Sequence, residues 1–251
     1  VTADGFRVDM HVKVLDDRVV ERAKARGLDA LVYAPHFVRL PNITAKAEAF
    51  SDDDLRVFPA REIFTGNWHG RKHILAVGMT DPVPDFITLE GAMAELDRQG
   101  AAVLAPHPEF LTVSVEQYDI ERFGFDAVEV YNPKHLPRDN ERAVRIARET
   151  NTPGFTSSYA HLLGTVGEAW TEFDDSAADA AELADLLQSR APRRVFHREG
   201  LGHELRCAAE FAHLGFENTW GKIDRVLLSA TEPTHPGHIA YDGRFDDVRV
   251  Y

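Results

Sequence analysis

The twelve histidines of this 251-residue chain matter for where they fall. The first apolar run, RVDMHVKV over residues 7–14, brings His11 to its end and sets Lys13 two residues beyond. His36 follows the run ALVYAP, Glu62 stands near the end of LRVFPAREI, His107 follows VLAP, and His161 lies in SSYAH just past the run PGFTSS. His73 differs, because it begins its run, HILAVGM, rather than ending it. Imidazole nitrogens with a carboxylate suit Zn, Mn or Fe. An ion of this kind lowers the pKa of a water to near neutrality and so supplies hydroxide. The single cysteine, Cys207, excludes a thiolate-rich structural zinc site and any intramolecular disulfide. Cys207 falls in the helical stretch HELRCAAEF and reads as a small core residue.

These residues need elements to bring them together. Short apolar runs alternate with the helical patterns VVERAKARG, ITAKAEAF, LEGAMAELDRQG and ERAVRIARET. Strand-helix alternation through residue 158 predicts βαβ units and a largely parallel sheet, and seven such runs predict a barrel. In a parallel barrel the C-terminal strand ends gather at one mouth, where the chemistry sits. Five potential ligands from five strands then converge. His73 joins them only if its strand runs against its neighbours. A lone histidine is most often a hydrogen-bonded residue under a loop; five candidates at equivalent strand ends point to a site.

The segments DMHVK, APH, AREI, RKHILAVG, APHP and SSYAH followed by VGEAWTEF, in this order and spacing, resemble the polymerase-and-histidinol-phosphatase (PHP) domain family of metal-dependent phosphoesterases. The resemblance spans roughly residues 7–175. It implies an α/β fold, a distorted seven-stranded (β/α) barrel, with up to three metals at its mouth. It further implies ligands at His11, His36, Glu62, His73, His107 and His161, with Asp16 or Asp17 as a further one. The chain departs from the family pattern at three places. The His-x-His motif reads His11-Val12-Lys13, the Asp-His motif reads Pro35-His36, and the Asp-x-His motif reads Tyr159-Ala160-His161. In the family arrangement the positions of Lys13 and Tyr159 belong to one metal, shared with His11 and Glu62. Three readings stay open. The Lys13 ammonium replaces that metal and pairs with Glu62, or the site has decayed and Lys13 only makes a salt bridge, or a neutral Lys13 ligates directly. On the first reading one or two divalent ions (Zn, Mn or Fe) remain.

The activity implied is hydrolysis of a phosphate mono- or diester, on a small metabolite, a nucleotide or a nucleic-acid end. Lys13, His11 and Tyr159 are then the catalytic candidates. The loop GNWHGRKH offers His69, Arg71 and Lys72 for phosphate, and NPKHLPR offers Lys134. The alternatives are a catalytically silent barrel that binds a ligand or partner, and a hydrolase of another bond, such as an amide.

Net charge is −13, and lysine is scarce, 6 against 22 arginines. An acidic, Asp-rich, Lys-poor surface suits concentrated salt. It argues against a broad nucleic-acid surface but leaves room for local cations around a phosphorylated small molecule. No apolar run approaches the roughly 18 residues needed to span a bilayer. The start, VTADGF, lacks the features of a leader, so a cytoplasmic protein is expected. Residues 1–190 are expected to form the barrel. Residues 191–251 should form a helical extension packed on it, with helices in GLGHELRCAAEFAHLG and TWGKIDRVLLSA.

Overall fold

The structure, a computed structural model, describes residues 5–67, 70–110, 113–216 and 233–250. All seven expected apolar runs are strands. They are β1 (Phe6–Val12), β2 (Ala30–Tyr33), β3 (Arg56–Thr65), β4 (Lys72–Val77), β5 (Ala102–Ala105), β6 (Ala127–Tyr131) and β7 (Gly154–Thr156). Two more, β8 (Ala169–Phe173) and β9 (Arg193–His197), make nine strands in one sheet of order β7-β6-β5-β4-β3-β2-β1-β8-β9. The expected count of seven is therefore corrected to nine. The sequence offers a short strand or extended piece at VF, which is part of β9, whereas AWTEF is a short run among turns. β9, just beyond the expected boundary at residue 190, pairs with β8 along its whole length.

Seven helices accompany the strands among the described residues: α1 (Asp17–Ala25), α2 (Leu40–Phe50), α3 (Leu89–Gln99), α4 (Gln117–Phe123), α5 (Pro137–Glu149), α6 (Ala180–Gln188) and α7 (Leu201–Phe216). Their ends follow ordinary chemistry. Thr88 and Asp179 accept from backbone N–H groups as N-caps of α3 and α6, and Gly100 ends α3 at a φ of 68°. The helix expected in TWGKIDRVLLSA lies outside the described residues. No helix among the described residues is long and apolar enough to cross a membrane.

The sheet nearly closes on itself. Between β7 and β8 a side chain does what a ladder would: the Thr171 hydroxyl accepts from Thr156 N–H at 2.9 Å and donates to Thr156 C=O at 3.1 Å. The interior is filled by Val8, Met10, Ala30, Val32, Phe58, Ala60, Leu75, Val77, Leu104 and Phe155, with Leu183 and Leu187 of α6 packed against them. Two outer cores lie between the sheet and its helices, one with α1 and α2, the other with α3, α4 and α5.

The strand directions settle the question of His73. β4 runs antiparallel to both β3 and β5, so its N-terminal end lies at the mouth where β3 ends. Thr171→Val tests the closure. It strips both Thr156 backbone groups of their partner, and a buried group left unpaired costs about 1–3 kcal/mol. The urea midpoint is expected to fall by that equivalent.

Candidate metal centre

Strand alternation carries the polar residues of the mouth inward. Ala30, Val32 and Ala34 face the interior, and His36 continues their parity; Phe58 and Ala60 lead likewise to Glu62, and Val77 and Leu75 to His73. β1 needs a correction of phase. A register irregularity between Asp9 and Val12 switches the alternation. Val12 then packs in the outer core with Leu15 and Val19, and His11 and Lys13 face inward. His107 and Tyr159 reach the mouth through left-handed backbone, at φ 35° and 46°. Such residues cost of order 1–3 kcal/mol each and need support from their surroundings. Glu129 supplies it for His107 by accepting its backbone N–H at 2.8 Å. Asp9 pins the segment that carries Tyr159 by accepting Ser158 N–H at 2.8 Å.

Glu62 is the hub. Its side chain is wholly buried, and its two oxygens face different partners. Oε1 lies 3.0 Å from His107 Nε2 and 3.3 Å from His73 Nδ1. Oε2 accepts from the Lys13 ammonium at 2.5 Å and lies 3.0 Å from His36 Nδ1. Lys13 also donates to Ala34 C=O at 2.6 Å. The Tyr159 hydroxyl straddles both oxygens at 3.4 and 3.5 Å. Burial alone would raise the Glu62 carboxyl, but Lys13, and then His36, bring it well below the usual carboxylate range. Burial lowers His11 well below the usual imidazole range and His36 to about 3, and Lys13 reinforces both shifts. Both imidazoles are therefore neutral at pH 7.

Glu62, His73 and His107 can hold a metal ion: one ligand atom from each lies within 4.8 Å of the others, and all three are buried. Hydrogen-bond accounting supports the fit. The Ser114 hydroxyl has one proton, which goes to Phe110 C=O at 2.7 Å. Toward His107 Nδ1, 3.2 Å away, it must therefore accept. With Nδ1 donating to Ser114, Nε2 faces a Glu62 oxygen at 3.0 Å, a contact that needs a proton or a metal ion between the two atoms. Both ring nitrogens of His73 are buried without hydrogen bonds, which points the same way. Three protein ligands leave coordination open, as catalytic rather than structural sites do.

A second group adjoins the first. Lys134 Nζ lies 2.6 Å from His161 Nδ1 and 3.5 Å from Glu210 Oε2, and all three side chains are buried. The two ammonium groups flank Tyr159, Lys13 at 5.3 Å and Lys134 at 4.3 Å from its ring centroid.

Other expected residues lie apart. Asp16 caps α1 by accepting Val19 N–H at 2.9 Å, and Asp17 is exposed in the first turn of that helix, so neither is placed as a ligand. Lys72 is held by both oxygens of Asp119 at 2.6 Å. Arg71 is half-buried just before β4, at the mouth end. His69 lies outside the described residues. The sequence reading missed Ser114, Glu129 and Glu210. For Glu210 a signal existed: His203, Cys207 and Glu210 recur at helical spacing, marking a polar face.

Ser114→Ala should weaken the centre without touching a ligand. Loss of such a supporting partner typically costs ~10–100-fold in metal affinity, which competition with a chromophoric chelator would read.

Comparison with known proteins agrees with this geometry. Residues 137–192 match the family described as PHP-associated. No curated protein matches the chain significantly in sequence. Among solved structures, PsfC from Pseudomonas syringae superposes with a TM-score of 0.62 at 19% identity, over 86% of this chain and 100% of that one. The lesion-specific endonuclease PfuEndoQ from Pyrococcus furiosus gives 0.56 at 13% identity, over 76% of this chain and 57% of that one. An amidohydrolase from Chromobacterium violaceum, solved with bound sulfate and no metal, gives 0.50 at 14% identity, over 61% and 87%. The PHP-associated match over residues 137–192 and the shared fold agree with the resemblance of the sequence to the PHP family.

Proposed function

We propose that the chain is a metal-dependent phosphoesterase with one divalent ion, held by Glu62, His73 and His107, and with Lys13 standing where a second cation would stand. The observation that carries this reading is the division of Glu62, one oxygen turned to the two imidazoles and the other paired with an ammonium at 2.5 Å. The ion, when bound, supplies Lewis acidity and an acidified water. The chain's own residues do the rest. Lys13 and Lys134 present positive charge to the phosphoryl oxygens, where preorganised charge in a dry site acts most strongly. The Tyr159 hydroxyl, fixed between the Glu62 oxygens, orients the leaving group's side of the site. Neutral His11, edge-on to the Tyr159 ring at 4.6 Å, shapes that wall. The endonuclease found on the same fold is in keeping with phosphoester chemistry; the ester's organic part is left to the surrounding loops.

Elemental analysis of dialysed protein tests the centre. One equivalent of Zn, Mn or Fe is expected, lost in His107→Ala. Two equivalents would put an ion beside His36 and His161, and three would end the account of Lys13 as a cation substitute. No metal, even when offered, would favour a silent barrel. The pair Lys13→His with Tyr159→Asp should bind one ion more than the parent. An unchanged count would deny that Lys13 fills a vacated position. Turnover of a generic phosphomonoester and phosphodiester, abolished by His107→Ala, then separates an enzyme from a binding module.

A further inference from the structure

The described part of α7 packs in an unusual sense. Its fully buried side chains are His203 and Glu210, whereas Leu201, Leu205 and Phe211 are 71%, 63% and 52% exposed. A helix that turns its polar residues inward is placed by polar contacts. The contacts of Glu210 lead straight to the mouth. Its Oε1 accepts from the backbone N–H of His161 and of Leu162, both at 2.8 Å, and from the Thr165 hydroxyl. Its Oε2 is buried, makes no hydrogen bond, and faces Lys134 Nζ at 3.5 Å and His161 Nδ1 at 3.8 Å. Two of the six lysines of a lysine-poor chain are thus buried beside one tyrosine ring, each next to a buried carboxylate.

We infer that Glu210 is a positioning residue of the centre: it clamps the loop after β7 with one oxygen and, with the other, holds the Lys134 ammonium where a bound oxyanion meets it. This inference rests on the phosphoesterase reading, since it assigns Lys134 to a phosphoryl group. It extends that reading to a helix outside the motifs that carry the family resemblance. The charge logic is simple. An ammonium in a dry site needs a counter-charge. A carboxylate at 3.5 Å without an ideal hydrogen bond supplies that charge while leaving the lysine able to shift toward a ligand.

Glu210→Gln tests this. The amide oxygen can still accept from the two loop N–H groups, but the charge is gone. Isothermal titration with inorganic phosphate should show about tenfold weaker binding or more, the scale of a lost charge-assisted contact. With an ester substrate, KM should rise more than kcat falls. In a double-mutant cycle with Lys134→Met, the second substitution should add little to the first. Thr165→Val removes one donor to Oε1 and leaves the charge, so it should lower the melting temperature and spare phosphate affinity. Should Glu210→Gln fail to fold, Glu210→Asp, which withdraws the same charge by one methylene, should show the weakened binding in a folded protein. Unchanged phosphate affinity in the folded variant, or fully additive losses in the cycle, would overturn the inference. Wild-type protein that neither takes up phosphate nor hydrolyses an ester is a different result: it removes the phosphoesterase reading, and the role of Glu210 with it.

Discussion

A carboxylate with no exposure to water must find its positive charge inside the protein, and Glu62 does so in two directions at once. Lys13 satisfies one oxygen. The other faces the imidazoles of His73 and His107, and a ring lone pair meeting a carboxylate oxygen is not a stable end state. The remaining architecture reads as a set of means to that arrangement. β2 and β3 reach the hub by simple alternation, β1 by a change of phase, and β4 by running backwards. His107 and Tyr159 arrive on strained backbone that buried acids hold in place.

Those acids form a supporting layer beneath the mouth. Glu129 binds His107 N–H, the Ser157 hydroxyl and the Asn132 amide. Burial raises its carboxyl, and raises that of Asp9 to about 6. Glu129 fixes the backbone of a candidate ligand, and Asp9 fixes the segment that carries Tyr159. The hydroxyl of Ser114 works at the same level, by deciding which nitrogen of His107 looks inward. The centre is thus defined as much by proton placement in this layer as by the identity of its ligands.

Much of this was legible in the sequence. The seven apolar runs all became strands, and the histidines at their ends met at one mouth. His73 met the one condition set for it, an antiparallel β4. What stayed hidden depended on long-range packing. β8 is a short run among turns and is a strand because β1 and β9 pair with it on either side. The family resemblance implied Asp16 or Asp17 as a further ligand, but Asp16 has a local use as the N-cap of α1. Lys72 looked free until Asp119, 47 residues later, folded onto it. Glu210 lies 148 residues beyond Glu62, and only the docking of α7 brings its carboxylate to the mouth.

The inward polar face of α7 sets how that helix comes off. Lifting a typical amphipathic helix exposes apolar surface, which gives the step a large heat-capacity increment and a steep dependence on denaturant. On α7, Leu201, Leu205 and Phe211 are in water already, so lifting them would change heat capacity little. Resistance comes instead from the Glu210 charge and the hydrogen bonds it accepts, which are buried, so dissolved ions screen them far less than exposed pairs. Undocking of the helix is therefore a local opening with a small heat-capacity signature, separate from melting of the barrel.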